Sequence, residues 1–334
     1  MRGPFRLFPL FLFFLYLFAC GPTQKPQQTE EFVWPPPPEK PRIKYLGSYR
    51  GESDFRKEGF LGLILGEETV RLDLVKPYGV WAKDHKIYVS DTGLNTIVLI
   101  DTKNKKVKPI GVFGALIDVE GDAQGRIYAS DAKAGVVYAL NEEGKILKAF
   151  GWKKLKKPTG LAVDDKRKRL YVVDTGEHNV KVFNYETGEL LFTIGRRGTG
   201  DGEFNFPTNV AVDRRNGNLV VVDSMNFRVQ IFSPEGKFIR KFGRVGNTPG
   251  SFYRPKGVGV DSEGHIYVAD AAFDNFQIFD EYGNLLMWVG QAGSGPGQFH
   301  LPAGLYVDEK DRIFVVDQFN RRVQVFQYLK ESGQ

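Results

Sequence analysis

The chain offers few side chains for nucleophilic or metal-assisted chemistry. Among its 334 residues there is one cysteine, Cys20, and there are four histidines: His85, His178, His265 and His300. The sequence contains neither a G-x-S-x-G turn nor a His-Glu-x-x-His motif, with which serine hydrolases and zinc proteases place their nucleophile or metal. We therefore expect the chain to have no catalytic residue, no metal site and no cofactor. These absences favour a binding function over a catalytic one.

The single cysteine follows directly on an apolar segment. Residues 7–19 form a run of 13 mostly apolar residues behind Arg2 and Arg6, whereas a helix that spans a bilayer needs about 20. This pattern is typical of a signal peptide. The run ends in Leu-Phe-Ala-Cys-Gly at 17–21, which resembles the bacterial lipoprotein box and implies that Cys20 is lipidated after cleavage behind residue 19. An ordinary signal peptide, with a cysteine that has no role, is the alternative.

Residues 20–42 are predicted to be an extended tether. They are rich in Pro, Gln and charge and contain four consecutive prolines at 35–38. Such a segment favours a polyproline II path of about 3.1 Å per residue. Trp34, just before the prolines, is expected to pack on the domain that follows.

The remainder of the chain is a repeat. Six segments align on one aspartate each, from "KIYVSDTGLNTIVLI" to "RIFVVDQFNRRVQVF", at intervals of 40, 43, 49, 47 and 47 residues. Each unit has four short runs of β-branched and aromatic residues divided by turns, such as "GVGVD", "HIYVAD", "NFQIFD" and "NLLMWVG" in the fifth. A four-stranded unit at this period is the signature of a propeller blade. The aspartates are Asp91, Asp131, Asp174, Asp223, Asp270 and Asp317.

These units predict an all-β fold, a six-bladed β-propeller over residues 43–328, with residues 329–334 as a tail. The sixth unit stops without a fourth strand, and "RIKYLGSY" at 42–49 is similar to the fourth strand "KFIRKFG" at 237–243. We expect this N-terminal strand to complete the last blade, because a closed ring leaves no strand edge open for aggregation.

The repeats resemble those of the NHL family. The shared features are a Pro-x-Gly at the start of a blade, "VD..G.IYVAD", "N.RVQIF" and linkers such as "GRRGTGDGEFNFP" and "GQAGSGPGQFHLP". The resemblance covers residues 77–326, although the second unit has "LIDVEGD" in place of Pro-x-Gly. Together with the leader and the Pro-rich tether, it implies an NHL-propeller lipoprotein of a bacterial envelope, a class of binding and scaffold proteins.

The six repeated aspartates are expected to be structural. A residue that is the same in all blades serves the blade, whereas residues that differ between blades are available to a ligand. The aspartate either caps the end of a strand or pairs with an arginine five residues on, as with Asp223 and Arg228 or Asp317 and Arg322.

Relatives of the repeat include enzymes, which leaves a catalytic alternative open. In the NHL-like amidating lyases, histidines from several blade starts hold a zinc ion, but here only His300 lies at such a position, two residues before Pro302. Six-bladed sugar lactonases and strictosidine synthase-like propellers have carboxylates and asparagines in their channel. A resemblance to these enzymes implies that Asp118, Glu120 or Asn209 takes the place of such a channel residue. The alternative is therefore a lyase or a lactonase-like hydrolase with its site in the central channel.

The linkers between the later blades carry the other candidate binding residues. The segments before Pro207, Pro255 and Pro302 are long and glycine-rich, whereas those before blades two and three are short. We expect a higher rim beside blades four to six, where aromatic residues line a groove for a protein or peptide. The phenylalanines at repeated positions are expected to pack between blades. The residues that break the repeat, and are predicted to bind, are Tyr253, Arg254, Phe273, Asp274 and His300.

Charge and composition exclude some classes of partner. The formal net charge is +6, with basic clusters at 103–108, 153–157 and 166–169. NHL propellers of cytoplasmic regulators bind RNA through a basic face, but an exported chain does not meet RNA. With one cysteine the chain has no RING-type zinc module. We predict a lipid-anchored monomer that binds an unidentified envelope protein or peptide and no nucleic acid, on the periplasmic side of the outer membrane where two membranes are present.

Overall fold

The computed structural model describes residues 31–56 and 71–330. Cys20, the apolar run before it and the first part of the expected tether lie outside these residues. The described chain contains 25 strands and two short 3-10 helices, Glu52–Asp54 and Ser224–Asn226. The first two strands, β1 (Val33–Trp34) and β2 (Ile43–Tyr49), precede the repeats. No helix among the described residues is long and apolar enough to span a bilayer.

Five of the six repeats form antiparallel four-stranded sheets, which are blades one to five. Strands that follow each other in the chain are neighbours in the sheet, because short turns suffice to join antiparallel strands. Their bounds are β3 (Pro77–Lys83), β4 (Lys86–Asp91), β5 (Thr96–Asp101) and β6 (Lys106–Ile110) in blade one; β7 (Leu116–Gly121), β8 (Ile127–Asp131), β9 (Val136–Leu140) and β10 (Ile146–Phe150) in blade two; β11 (Pro158–Asp164), β12 (Arg169–Asp174), β13 (Asn179–Asn184) and β14 (Leu190–Ile194) in blade three; β15 (Pro207–Val212), β16 (Leu219–Asp223), β17 (Arg228–Phe232) and β18 (Phe238–Phe242) in blade four; and β19 (Pro255–Val260), β20 (Ile266–Asp270), β21 (Asn275–Phe279) and β22 (Leu285–Val289) in blade five.

Blade six combines the last repeat with the two N-terminal strands. The strands of the repeat are β23 (Pro302–Val307), β24 (Arg312–Asp317) and β25 (Arg322–Tyr328). β2 pairs antiparallel with β25, so that Ile43 lies opposite Tyr328 and Tyr49 opposite Val323. This pairing confirms the expected closure of the ring. β1 lies outside β2 and makes the sheet five-stranded, so part of the segment predicted as tether belongs to the blade.

The hydrophobic core lies between neighbouring blades. Alternate side chains of a strand point to opposite faces of the sheet, and each face packs on the next blade; Val222 of blade four, for example, shares a cluster with Val268 of blade five. Trp34 joins this packing, with its ring centroid 5.7 Å from that of Phe326. The linker phenylalanines that were expected to pack between blades are each 0 % exposed: Phe204, Phe252 and Phe299.

The ring has two faces and a central channel. The face that carries the linkers between blades, together with the loops between the second and third strands, is called the linker face. The opposite face carries the remaining turns and is called the turn face. The first strands of neighbouring blades contact one another all round the ring, so β3, β7, β11, β15, β19 and β23 enclose the channel.

Candidate functional site

The six repeated aspartates organise the linker face. Each lies at the end of the second strand of its blade, is at most 2 % exposed and accepts backbone N–H groups from the linker before that blade. Asp270 accepts the N–H of Tyr253 at 2.8 Å, and Asp317 accepts that of His300 at 2.8 Å. The carboxylates thus fix the backbone of the linkers while leaving the linker side chains available.

Two arginines add to this arrangement in blades four and six. Nε of Arg228 lies 2.8 Å from Asp223, and Nε of Arg322 lies 2.7 Å from Asp317, with all four side chains at most 8 % exposed. The five-residue spacing in the sequence therefore corresponds to a buried ion pair in both blades. Nη1 and Nη2 of Arg228 and Nη2 of Arg322 also donate to linker carbonyl oxygens.

A glutamine holds each of the three long linkers, which are twelve residues long. Nε2 of Gln230 donates to the carbonyl of Glu203 at 2.7 Å, and its Oε1 accepts the N–H of Gly202 at 3.0 Å. Gln277 and Gln324 make the same pair of contacts in blades five and six. These glutamines are not among the residues predicted from the sequence, although they recur in register only in the repeats with long linkers. The corresponding residues in blades one to three are Val98, Tyr138 and Lys181.

The linkers and loops of blades four to six carry a set of exposed or partly exposed side chains, most of them apolar, which we call the aromatic surface. Tyr253 is 61 % exposed, and the ring of His300 stacks on that of Phe319 with centroids 5.2 Å apart. Large apolar side chains gathered on one face of a soluble domain mark an interaction site. Aromatic side chains also supply much of the binding energy of protein interfaces. The aromatic surface consists of Phe206, Met225, Tyr253, Phe273, His300 and Phe319.

The predicted binding residues lie on three adjacent segments of this face. Tyr253 and Arg254 belong to the linker before blade five, Phe273 and Asp274 to the loop of that blade, and His300 to the next linker. All are at least partly exposed.

Asp274 also has a contact inside the fold. It has a left-handed backbone (φ 50°), and its Oδ1 accepts the N–H of Leu301 at 2.7 Å. His178 occupies the corresponding position of blade three, where its Nδ1 accepts the N–H of Phe206 at 3.0 Å. The side chain at this position therefore ties one blade to the linker of the next, which leaves less of Asp274 for a partner.

The central channel contains a cavity of about 320 Å³ that opens towards the turn face. Asp118, Glu120 and Asn209, which the resemblance to channel enzymes suggested, all line it. Arg214 and Tyr306 line it as well, and neither is among the predicted residues. The structure thus brings three predicted residues together with a guanidinium and a phenol.

One arginine spans this cavity. Arg214 reaches across it from blade four and donates to the hydroxyl of Tyr306 at 3.4 Å and to the carbonyl of Val307, both in blade six. Nothing in the repeat pattern of the sequence indicates this contact, because Arg214 lies in a turn. Small side chains on three consecutive blades make room for the cavity. The residues at the position of Glu120 in the other five blades are Trp81, Ala162, Ala211, Gly259 and Tyr306.

Burial determines the acidity of the two channel carboxyl groups. Asp118 is 6 % exposed, and burial raises its pKa to about 7, although the N–H of Leu161 donates to its Oδ2 at 2.9 Å. Burial also raises the pKa of Glu120 well above its usual range; the N–H of Gly121 opposes this shift and the charge of Asp118 adds to it. Asp118 can therefore exchange a proton near neutral pH, and both carboxyl groups can bind a polar ligand.

The linker end of the channel is basic. Nζ of Lys256 lies 5.1 Å from the ring centroid of Tyr78. Burial, together with the charges of Arg254 and Lys76, lowers the pKa of Lys256 to about 8, and burial raises the pKa of Tyr78 to about 12. Glu120 and Arg214 therefore lie towards the turn face of the channel, and Lys256 lies towards its linker face.

The histidines do not form a cluster. His85 and His300 are exposed on opposite faces, and Nδ1 of His265 lies 2.8 Å from Asp261, which raises the pKa of that histidine. Across residues 31–56 and 71–330, no three or more His, Cys, Asp or Glu side chains are arranged to hold a metal ion.

Solved structures with the same fold serve different functions. An auxiliary nutrient binding protein from Bacteroides thetaiotaomicron is 14% identical, with a TM-score of 0.62 over 77% of this chain and 70% of that one. A gluconolactonase from Xanthomonas campestris is 14% identical, with a TM-score of 0.61 over 85% and 98% of the two chains. Virginiamycin B lyase from Staphylococcus aureus is 13% identical, with a TM-score of 0.56 over 76% and 95%. At these identities the likeness shows the fold alone.

Sequence comparison places the chain in a family. Curated protein sequences give no match. A family model described as 6-bladed beta-propeller matches residues 158–229, 216–274 and 260–333, which together span blades three to six and just over half of the chain. The chain therefore belongs to the DUF5128 family of six-bladed beta-propellers.

Proposed function

We propose that the chain is a non-catalytic binding module of the bacterial cell envelope that holds a protein or peptide partner on its aromatic surface. The observation that carries the proposal is the exposure of Phe206, Tyr253 and Phe319, at 46 %, 61 % and 55 %. These side chains stand on a backbone held by buried aspartates and glutamines. A surface ordered before binding loses less conformational entropy when the partner arrives, so the arrangement suits a scaffold.

Attachment to a membrane through Cys20 is the second part of the proposal. The support is the similarity of 17–21 to the lipoprotein box and the Pro-rich segment behind it, together with the similarity of the repeats to NHL-propeller lipoproteins. Several acyl chains on one residue hold firmly, since each buried methylene contributes about 0.8 kcal/mol. An auxiliary nutrient binding protein among the structural neighbours fits an envelope location. Labelling with a clickable palmitate analogue tests the attachment, with a Cys20→Ala chain as the control.

Site-specific photo-crosslinking in intact cells tests the binding surface. A benzophenone amino acid replaces Tyr253 in the aromatic surface or, in a matched control, Tyr282, which is 63 % exposed in a turn of the same blade on the opposite face. We expect a discrete crosslinked product from position 253 and none from position 282. Phe206→Ala combined with Phe319→Ala should reduce the yield at 253 by about tenfold or more, as loss of interface anchors does. Equal products from both positions, or none from 253, would contradict the proposal.

Ligand binding or catalysis in the central channel is the second candidate function. Asp118, Glu120 and Arg214 meet in a cavity of about 320 Å³, which is large enough for a small polar molecule. The gluconolactonase among the structural neighbours suggests sugar lactones as a first class of substrate to test.

A hydrolytic role predicts a specific pH profile. Because burial raises the pKa of Asp118 to about 7, the rate of lactone opening should change by up to tenfold per pH unit on one side of that value. Asp118→Asn should lower kcat and remove this inflection, while Lys83→Met at the mouth of the cavity should retain it. If the purified chain opened lactones no faster than the Asp118→Asn chain does, the hydrolytic function would be contradicted and the scaffold function would remain.

A further inference from the structure

The linker face of blades one to three carries a cluster of lysines that the proposed function does not use. We call it the basic surface; all of its lysines are exposed, and Trp152 among them is 68 % exposed. Its side chains come from the linkers into blades one and three and from the loop of blade two. The basic surface consists of Lys76, Lys133, Trp152, Lys153, Lys154, Lys156 and Lys157.

A buried leucine makes the linker into blade three project outwards. Leu155 is 8 % exposed and packs in the core between blades two and three, and its N–H donates to the carbonyl of Gly151 at 2.9 Å. This tight turn places Trp152, Lys153 and Lys154 on the solvent side of Leu155. Gly135 of blade two touches the same turn; a Cβ there would lie 2.8 Å from the carbonyl of Leu155. The linker is therefore fixed to its blade rather than loosely exposed.

Most of these lysines lack an acidic partner. Nζ of Lys156 lies 3.5 Å from Glu177. In the part of the chain that the structure describes, no carboxylate lies within 4.0 Å of Nζ of the other five lysines. A surface whose cations are not neutralised by its own protein attracts an anionic partner.

The first strand, β1, is directed away from the linker face and towards the turn face. β2 runs towards the linker face, since Tyr49 lies opposite Val323 at the start of β25. β1 is antiparallel to β2, and the carbonyl of Phe32 accepts the N–H of Tyr45 at 2.9 Å. Going back along the chain from Trp34 to Phe32 therefore leads towards the linker face. A membrane that lies in this direction would face the basic surface.

We infer that the basic surface lies on the anionic phospholipid headgroups of that membrane, with Trp152 at the level of the headgroups. Lysines beside a bilayer are attracted by anionic lipids, and tryptophan favours the membrane–water interface. The inference rests on the proposed envelope location, although it does not require lipidation of Cys20. It adds an orientation to the proposed function, because a partner on the aromatic surface then lies next to the membrane.

Vesicle binding tests the inference. The chain from residue 20 onwards carries Cys20→Ala, so that neither the apolar run at 7–19 nor an acyl chain contributes. It is mixed with vesicles of phosphatidylcholine, either alone or with phosphatidylglycerol. We expect tighter binding to the anionic vesicles that weakens as salt is added. Lys133→Glu, Lys154→Glu and Lys157→Glu together should weaken it by roughly a hundredfold, since each lysine near an anionic surface contributes about a factor of five.

A charge-matched variant on the opposite face is the control. Lys103→Glu, Lys106→Glu and Lys145→Glu change the net charge equally at exposed positions on the turn face of blades one and two. We expect less than about a threefold effect from them. Equal loss from both triple variants, or equal binding of the Cys20→Ala chain to neutral and anionic vesicles, would overturn the inference. Binding to a soluble anionic polysaccharide without binding to vesicles would overturn it as well. Photo-crosslinking from position 253 in the same variants reports on the protein partner separately.

Discussion

The aromatic surface and the basic surface lie on one face of the same ring, but they are built differently. The aromatic surface stands on linkers of twelve residues, each held by a buried phenylalanine and a glutamine. The basic surface includes a linker of only seven residues, 151–157, held by Leu155. Both use the aspartate at the end of the second strand. A repeat fold can therefore present two chemistries on one face when linker length changes and the strand framework stays constant.

The largest expected effect comes from the contacts that hold the long linkers. Arg228→Ala leaves Asp223, which is 0 % exposed, without its cation. Removing one partner of a buried ion pair costs about 3–5 kcal/mol, which urea denaturation can measure. Arg196→Ala is the control, because Arg196 is 82 % exposed beside Glu203 in the same linker. If both substitutions had the same small effect, the long linkers would not depend on the buried ion pair.

A smaller effect separates folding from binding within one linker. Phe252 is 0 % exposed and its neighbour Tyr253 is 61 % exposed. Phe252→Leu should lower the free energy of unfolding by about 1–2 kcal/mol, because it leaves part of a packed site empty. Tyr253→Leu should change it by less than about 0.5 kcal/mol and reduce partner binding instead. Thermal unfolding and the crosslinking yield measure the two effects. Partner binding lost equally in both variants would show that the aromatic surface is not the contact.

The smallest effect lies at the border between the two halves of the face. Burial, together with the charge of Arg197, lowers the pKa of His178, whose neutral Nδ1 accepts the N–H of Phe206. The folded chain thus favours the neutral ring. Stability from this contact is present above the unfolded pKa of about 6.5 and is lost as the pH falls through the lower folded value.

The measurement is the free energy of unfolding between about pH 7.5 and pH 5. His178→Asn, whose amide oxygen can accept the same N–H at every pH, should remove up to about 1 kcal/mol of the pH dependence, the usual contribution of one hydrogen bond. The same pH dependence in both chains would mean that His178 does not link blades three and four through this bond.

Much of the fold was predictable from the sequence, because the evidence is repeated six times. The register of Asp91 to Asp317 fixed the blades, and the missing fourth strand of the last unit pointed to the N-terminal strand, which the pairing of Ile43 with Tyr328 confirms. The glutamines that hold the long linkers were within reach as well, since Gln230, Gln277 and Gln324 share one position. Their partners are backbone atoms, which leave no signal in the sequence.

The channel and the basic surface were predictable only in part. Asp118, Glu120 and Asn209 break the repeat and were assigned to the channel by resemblance, and the cavity brings them together. The meeting of Arg214 with Tyr306 joins blade four to blade six, and no local pattern encodes such a distance. The same holds for the basic surface, whose lysines are spread over 82 positions from Lys76 to Lys157.

The sequence by itself determined the number of blades, the closing strand and the structural place of the six aspartates. Each of these follows from short-range periodicity that every unit repeats. The tertiary structure alone decided which side chains share a surface and how acidic the channel carboxyl groups are. Burial between the blades raises the pKa of Asp118 to about 7, and the ring sets lysines from distant segments on one face. Such properties depend on distances in space, which a linear pattern does not contain.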